Sequence, residues 1–231
     1  MPISPESTNK LPVFPLIRHV SARISPALIR SPFSANAITT LSLIIGICAC
    51  WYLAEGTYTA GVIAALLFFV CYILDNCDGE VARARNQCSV FGEKYDTFVD
   101  WIVHTGFFIS LGWGVARQSG QDVWLWLGLL GGLGGTINYA IGVYMDVRDG
   151  VVIADAPAEP AEGLGEAAVA PQSALQWMAF VLRELSRADF CMIVLVLAVL
   201  DLTWVLLPTA ALGAHAYWMM MFVQGARKQH V

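Results

Sequence analysis

At 231 residues, 57% hydrophobic and only 13% charged, with a mean hydropathy of +0.62, the chain is too apolar for a soluble domain, which sits near 45–50% apolar and about 25% charged. The net charge of −5 is set largely by one loop and identifies no partner; nucleic acid is not expected. Six cysteines, mostly in or beside apolar runs and without paired loop spacing, exclude a disulfide framework or a zinc site.

In chain order, residues 1–13 are polar and Pro-rich and are expected to be disordered. They lack the basic head and apolar core of a cleavable signal. From Phe14 to Arg30, Leu16, Ile17, Val20, Ile24, Leu28 and Ile29 alternate with Arg18, Arg23 and Arg30. That pattern suits either an amphipathic helix lying in the membrane interface or a basic tether, with Pro26 expected to interrupt or kink a helix. Six apolar runs follow, at about 37–53, 57 to the acids at 75, 95–115, 123–144, 190–204 and 209–223. Ser34 or Asn36 can cap the first, and Gly56 marks the first turn. The stretch 146–172, rich in Ala, Pro, Glu and Gly, reads as a flexible cytosolic loop. The expected architecture is therefore all-α: a polytopic bundle of six transmembrane helices (34–231), preceded by a tail and a juxtamembrane amphipathic helix (1–33).

Basic residues orient it. With the N-terminus in the cytosol, every Lys and Arg except Arg117 falls on the inner side, and Trp51, Trp113, Trp124, Trp126 and Trp204 fall near the outer interface. A cytoplasmic-membrane protein with its functional face toward the cytosol is expected.

The chemistry concentrates in residues 75–100, DNCDGEVARARNQCSVFGEKYDTFVD. Asp75 and Asp78 are three apart and Asp96 and Asp100 four apart, so on helices each pair shares a face. The flanking runs 60–74 and 101–115 are almost wholly apolar. Fifteen helical residues rise roughly 22 Å against a hydrocarbon core of about 30 Å, which places Asp75 and Asp100 at similar depth in the cytosolic half. The acids could sit on a solvated loop. Alternatively they face each other as a divalent-cation site, since one ionised carboxylate in the bilayer centre costs roughly 2.5–3.5 kcal/mol on insertion scales and four would repel one another. Two hard cations, Mg2+ or Mn2+, would neutralise them.

The spacing Asp75, Asp78-Gly79, Ala82-Arg83, Gly92, Asp96, Asp100 resembles the signature of the CDP-alcohol phosphotransferase family, membrane enzymes of phospholipid and related phosphodiester synthesis. The resemblance implies a CDP-linked donor, an alcohol acceptor, release of CMP, and two metal ions held by Asp75, Asp78, Asp96 and Asp100. It gives Asp100 the further role of proton acceptor. It also implies that Gly79, Arg83 and Ser89 contact the CDP moiety, with Ala82 and Gly92 part of the same signature, and that Asn36 and Thr39 lie near the nucleotide. The Pro that precedes that Asn in the family is Ala35 here.

Other polar residues have two readings. His104 orients Asp100 or bonds to a neighbouring helix; Thr136 and Asn138 line the cavity or bond between helices. Arg187 and Asp189, where the fifth span begins, form a candidate acceptor site, and Arg187 also fits a juxtamembrane anchor. Gly128, Gly131, Gly132, Gly134 and Gly135 allow close helix packing and suggest a homodimer interface. The competing function is a divalent-cation transporter or channel using the same acids, which would have no need of Gly79 or Ala82-Arg83.

Overall fold

The computed structural model describes residues 16–148, 189–215 and 219, and among these there is no strand. The helices are α1 (Leu16–Arg30), α2 (Ala35–Ala54), α3 (Tyr58–Ala84), α4 (Val90–Ser119), α5 (Val123–Arg148) and α6 (Phe190–Val199). A short 3-10 turn, Thr203–Val205, follows, and residues 206–215 are again helical.

Local chemistry sets the boundaries. Ser34, Thr57 and Ser89 cap α2, α3 and α4, each hydroxyl accepting from an amide three residues on, at 3.3, 3.3 and 3.0 Å. Gly56 and Gly120 take φ of 70° and 69° in the turns after α2 and α4, where a side chain would be strained.

The packing is that of a membrane bundle, with small residues inward and large ones outward. α2 buries Ala35, Thr39, Ser42, Gly46 and Ala49, while Leu41, Ile44, Ile47 and Trp51 stand exposed on its other face. α2 packs against both α3 and α4, and α5 against α4. Gly46 makes this possible: a Cβ there would lie 2.6 Å from Val103 of α4 and 3.3 Å from Cys71 of α3.

Three helices, α2, α3 and α4, are long and apolar enough to cross a membrane. The expected fifth span ends early. α6 stops at Val199, the chain turns through Asp201 at φ 57°, and a 3-10 turn carries Trp204. The last run begins at residue 206 and not after Pro208, because a proline in the first turn of a helix has no intrahelical N–H partner to lose. The remainder of that run beyond 215 and the stretch 149–172 lie outside the described residues, apart from Met219; residues 146–148, assigned above to the loop, complete α5.

α1 also departs from expectation. It continues through Pro26 without a break and packs along α3. Its buried face is Ile17, Ser21 and Ser25, a one-turn repeat, with the Ser21 carbonyl 3.8 Å from Cys77 Sγ, while Leu28 and Ile29 pack against the cluster that includes Val81. Charge holds it at both ends. The Arg85 guanidinium donates to the carbonyls of Leu28, Ile29, Ser31 and Phe33 where α1 ends. The fully buried Asp189 carboxylate accepts the amides of Leu16 and Ile17, both at 2.8 Å, where it begins. Each charge opposes the helix-dipole end it meets. Asp189→Ala leaves two amides without that acceptor and is expected to destabilise α1 docking by about 2 kcal/mol. Faster amide hydrogen exchange across residues 16–30 is the measurement that checks it.

Candidate active site

α3 carries Asp75 and Asp78, α4 carries Asp96 and Asp100, and residues 85–89 join the two helices. α3 and α4 scarcely approach through their backbones, since α2 is packed against both. They meet instead through long side chains one and two turns below the acids. Phe68 stacks on Phe107 at 4.7 Å, and the Tyr72 hydroxyl lies 2.6 Å from His104 Nε2. His104 Nδ1 is 2.8 Å from the Asp100 carbonyl. A carbonyl only accepts, so Nδ1 carries the proton and Nε2 accepts from Tyr72. His104 thus bonds to the neighbouring helix and to its own backbone. Beneath the acids lies an aromatic floor of Phe68, Tyr72, His104, Phe107 and Phe190.

Above this floor one carboxylate oxygen each from Asp75, Asp78 and Asp96 lies within 4.8 Å of the others. Asp78 is 5% exposed, and the Thr39 hydroxyl donates to its Oδ2 at 2.5 Å. Asp96 Oδ1 is buried and has no hydrogen-bond partner. Three converging acidic oxygens, with an unpartnered buried acceptor on one of the three residues, suit a hard divalent ion. Asp100, one turn further along α4, is outside this group of three and is exposed.

The other signature residues fall on either side. Gly79 sits against Arg83: a Cβ there would lie 3.2 Å from Nη1 of the guanidinium, which is itself exposed. Ala82 packs beside Ala35, Ile38 and Val81, joining α3 to the start of α2. Ser89, Gly92 and Asn36 come together at the mouth, where a Cβ on Gly92 would lie 3.2 Å from Ser89 Oγ and 3.3 Å from Asn36 Oδ1. Gln87 fixes the same corner by accepting the Ala35 amide at 3.1 Å.

Several other residues have structural partners. Asp189 is fully buried with both carboxylate oxygens committed to α1, which corrects its assignment to an acceptor site; Arg187 lies outside the described residues. Thr136 accepts from Trp101 Nε1 at 3.1 Å and donates to the Gly132 carbonyl. Glu80 accepts from Ser21 of α1 at 2.8 Å, and Lys94 pairs with Asp146 at 2.7 Å. The α5 glycines are used within the chain. Gly128 meets Gly112 of α4, Gly132 meets Ile109 and Thr105, and Gly131 and Gly134 meet Ala210 and Ala214. Sequence reasoning passed over Tyr72. The signal was present, because Tyr72 stands three residues before Asp75 and extends the same polar helix face inward.

Residues 33–221 match the family model described as CDP-alcohol phosphatidyltransferase. The chain is also similar to the curated "Bifunctional IPC transferase and DIPP synthase" of Aquifex aeolicus, at 31% identity over 116 residues, which is 50% of this chain and 26% of that protein. The protein of the same name from Thermococcus kodakarensis is 29% identical over 119 residues, 52% of this chain and 26% of its own length. That from Archaeoglobus fulgidus is 34% identical over 86 residues, 37% and 16% respectively. The matches thus span about a quarter or less of those relatives.

Proposed function

The chain belongs to the CDP-alcohol phosphatidyltransferase family, and from its acidic site we propose that it transfers a substituted phosphoryl group from a CDP-linked donor to an alcohol, releasing CMP. The observation that carries this reading is the convergence of Asp75, Asp78 and Asp96 on one point beside an unpartnered Asp96 oxygen. Two Mg2+ or Mn2+ ions held by Asp75, Asp78, Asp96 and Asp100 would supply Lewis-acid neutralisation of the pyrophosphate. Arg83, exposed beside Gly79, holds a phosphate oxygen by charge-assisted hydrogen bonds, and the missing side chain at Gly79 keeps that approach open. Asn36, Ser89 and Gly92 bound the nucleotide end. Asp100, which is exposed, takes the proton of the attacking hydroxyl on its carboxylate. The alcohol oxygen bonds to the donor's distal phosphorus, the bond from that phosphorus to the bridging oxygen breaks, and CMP leaves with the bridging oxygen.

The same reading places α1 in the membrane interface, six spans in the bilayer and the acids at the cytosolic side of the cytoplasmic membrane, in a homodimer. The excess of Lys and Arg on that side supports the orientation. The donor belongs to one of two classes, CDP-diacylglycerol or a CDP-linked polar alcohol, and the IPC transferase name of the relatives makes both worth assaying. Purified protein incubated with each donor class, a panel of alcohols and Mg2+ is expected to release CMP, and EDTA to stop it. No CMP from any pair would overturn the reading, and Mg2+ flux in proteoliposomes without nucleotide would replace it with transport.

A further inference from the structure

We propose that Thr39 is a positioning residue for the Asp78 carboxylate. This rests on the metal-dependent reading above and deepens it. The family resemblance puts Thr39 near the nucleotide, but the geometry points its hydroxyl elsewhere. Thr39 is 3% exposed and Asp78 5% exposed, with Oγ1 2.5 Å from Asp78 Oδ2. The same hydroxyl lies 3.1 Å from the Ala35 carbonyl. A threonine hydroxyl has one hydrogen to give. The Ala35 carbonyl, one helical turn back, already has a helical donor in the Thr39 amide, and the contact to Asp78 is the shorter of the two. The hydrogen therefore goes to Asp78.

The surroundings hold Thr39 in that geometry. Its β-branch restricts χ1, Ser42 Oγ donates to its carbonyl at 2.7 Å, and Ile38 and Ser42 beside it are buried. α2 contributes no acid to the cluster, yet it packs against both acid-bearing helices. Through Thr39 it fixes one carboxylate before any ion arrives. The hydrogen bond orients Asp78 and offsets part of the repulsion from Asp75 and Asp96. Such outer hydrogen-bond partners of metal ligands are commonly worth about 10–100-fold in metal affinity or activity.

The test is Mn2+ affinity of the full chain in detergent, followed by electron paramagnetic resonance without nucleotide, together with donor KM at saturating metal. Thr39→Val keeps shape and removes the donor; the Mn2+ Kd is expected to rise by about 10–100-fold with donor KM unchanged. Thr39→Ser, which restores the hydroxyl, is expected to return the affinity to within a few-fold of the original chain. A raised donor KM with unchanged Mn2+ affinity would make Thr39 a nucleotide contact and overturn the proposal. So would a serine variant as weak as the valine one, because the methyl group and not the hydroxyl would then matter. If the original chain binds Mn2+ and the valine variant binds it equally well, only the role of Thr39 fails. If the original chain binds none, the metal reading fails and takes this proposal with it.

Discussion

Asp96→Asn is expected to abolish CMP release, by about a thousandfold or more, while making the metal-free protein more stable. The two effects come from one carboxylate. Asp96 Oδ1 is a buried acceptor without a partner, and one oxygen of the same carboxylate lies within 4.8 Å of oxygens of Asp75 and Asp78. A site that must neutralise phosphate charge loses several kcal/mol of barrier lowering when one of its anionic ligands becomes an amide, and each 1.36 kcal/mol is tenfold in rate. Without metal the sign reverses. Like charges about 4 Å apart repel by about 1 kcal/mol in water and about 4 kcal/mol at the effective dielectric of a protein surface. Removing one charge relieves that repulsion, so the metal-free melting temperature is expected to rise by about 2–4 °C per kcal/mol relieved. The rise in melting temperature that Mg2+ gives the original chain is expected to shrink or vanish. A purely structural aspartate would show the reverse: a lower melting temperature without metal and an intact response to it. Melting curves with and without Mg2+, beside a CMP assay, separate the two.

What could be read from the sequence was what local spacing dictates. Steps of three and four between Asp75 and Asp78, and between Asp96 and Asp100, fix shared helix faces whatever the tertiary fold, and the structure keeps all four acids within α3 and α4. The cap at Ser34 followed from residue type. What escaped depends on partners far away in the chain. Asp189 lies 172 residues from Ile17, and nothing near it says that its carboxylate will meet the start of α1. The role of Arg85 was hidden because its four carbonyl partners exist only once α1 has ended beside α3. The role of Ser21 and Ser25 of α1 was equally hidden: they are the small buried residues on the face that meets α3, where the Ser21 carbonyl lies 3.8 Å from Cys77 Sγ. Thr39 escaped for the same reason, since 39 residues separate it from the carboxylate it serves.

Gly112→Ala is expected to destabilise the protein by about 1–2 kcal/mol, although alanine is the better helix former. A Cβ at Gly112 would lie 2.7 Å from the Trp124 carbonyl oxygen and 2.9 Å from Gly128 Cα. Both atoms are backbone, so no side chain can turn aside and α4 and α5 must separate. Overpacking of this kind costs about 1–3 kcal/mol and occasionally more, against roughly 1 kcal/mol gained from helix propensity. For a chain of this size the net loss corresponds to a fall of about 2–8 °C in melting temperature. Gly61→Ala and Gly142→Ala are the internal controls, because nothing lies within 4 Å of a Cβ at either position. They are expected to melt at or above the original temperature. The contrast is decisive because all three substitutions add the same methyl group to a helical glycine. If all three lowered stability alike, glycine in these helices would be needed for backbone freedom. If only Gly112 did, α4, which carries Asp96 and Asp100, is held in place by contact with α5, and Gly128→Ala on the facing helix should reproduce the loss.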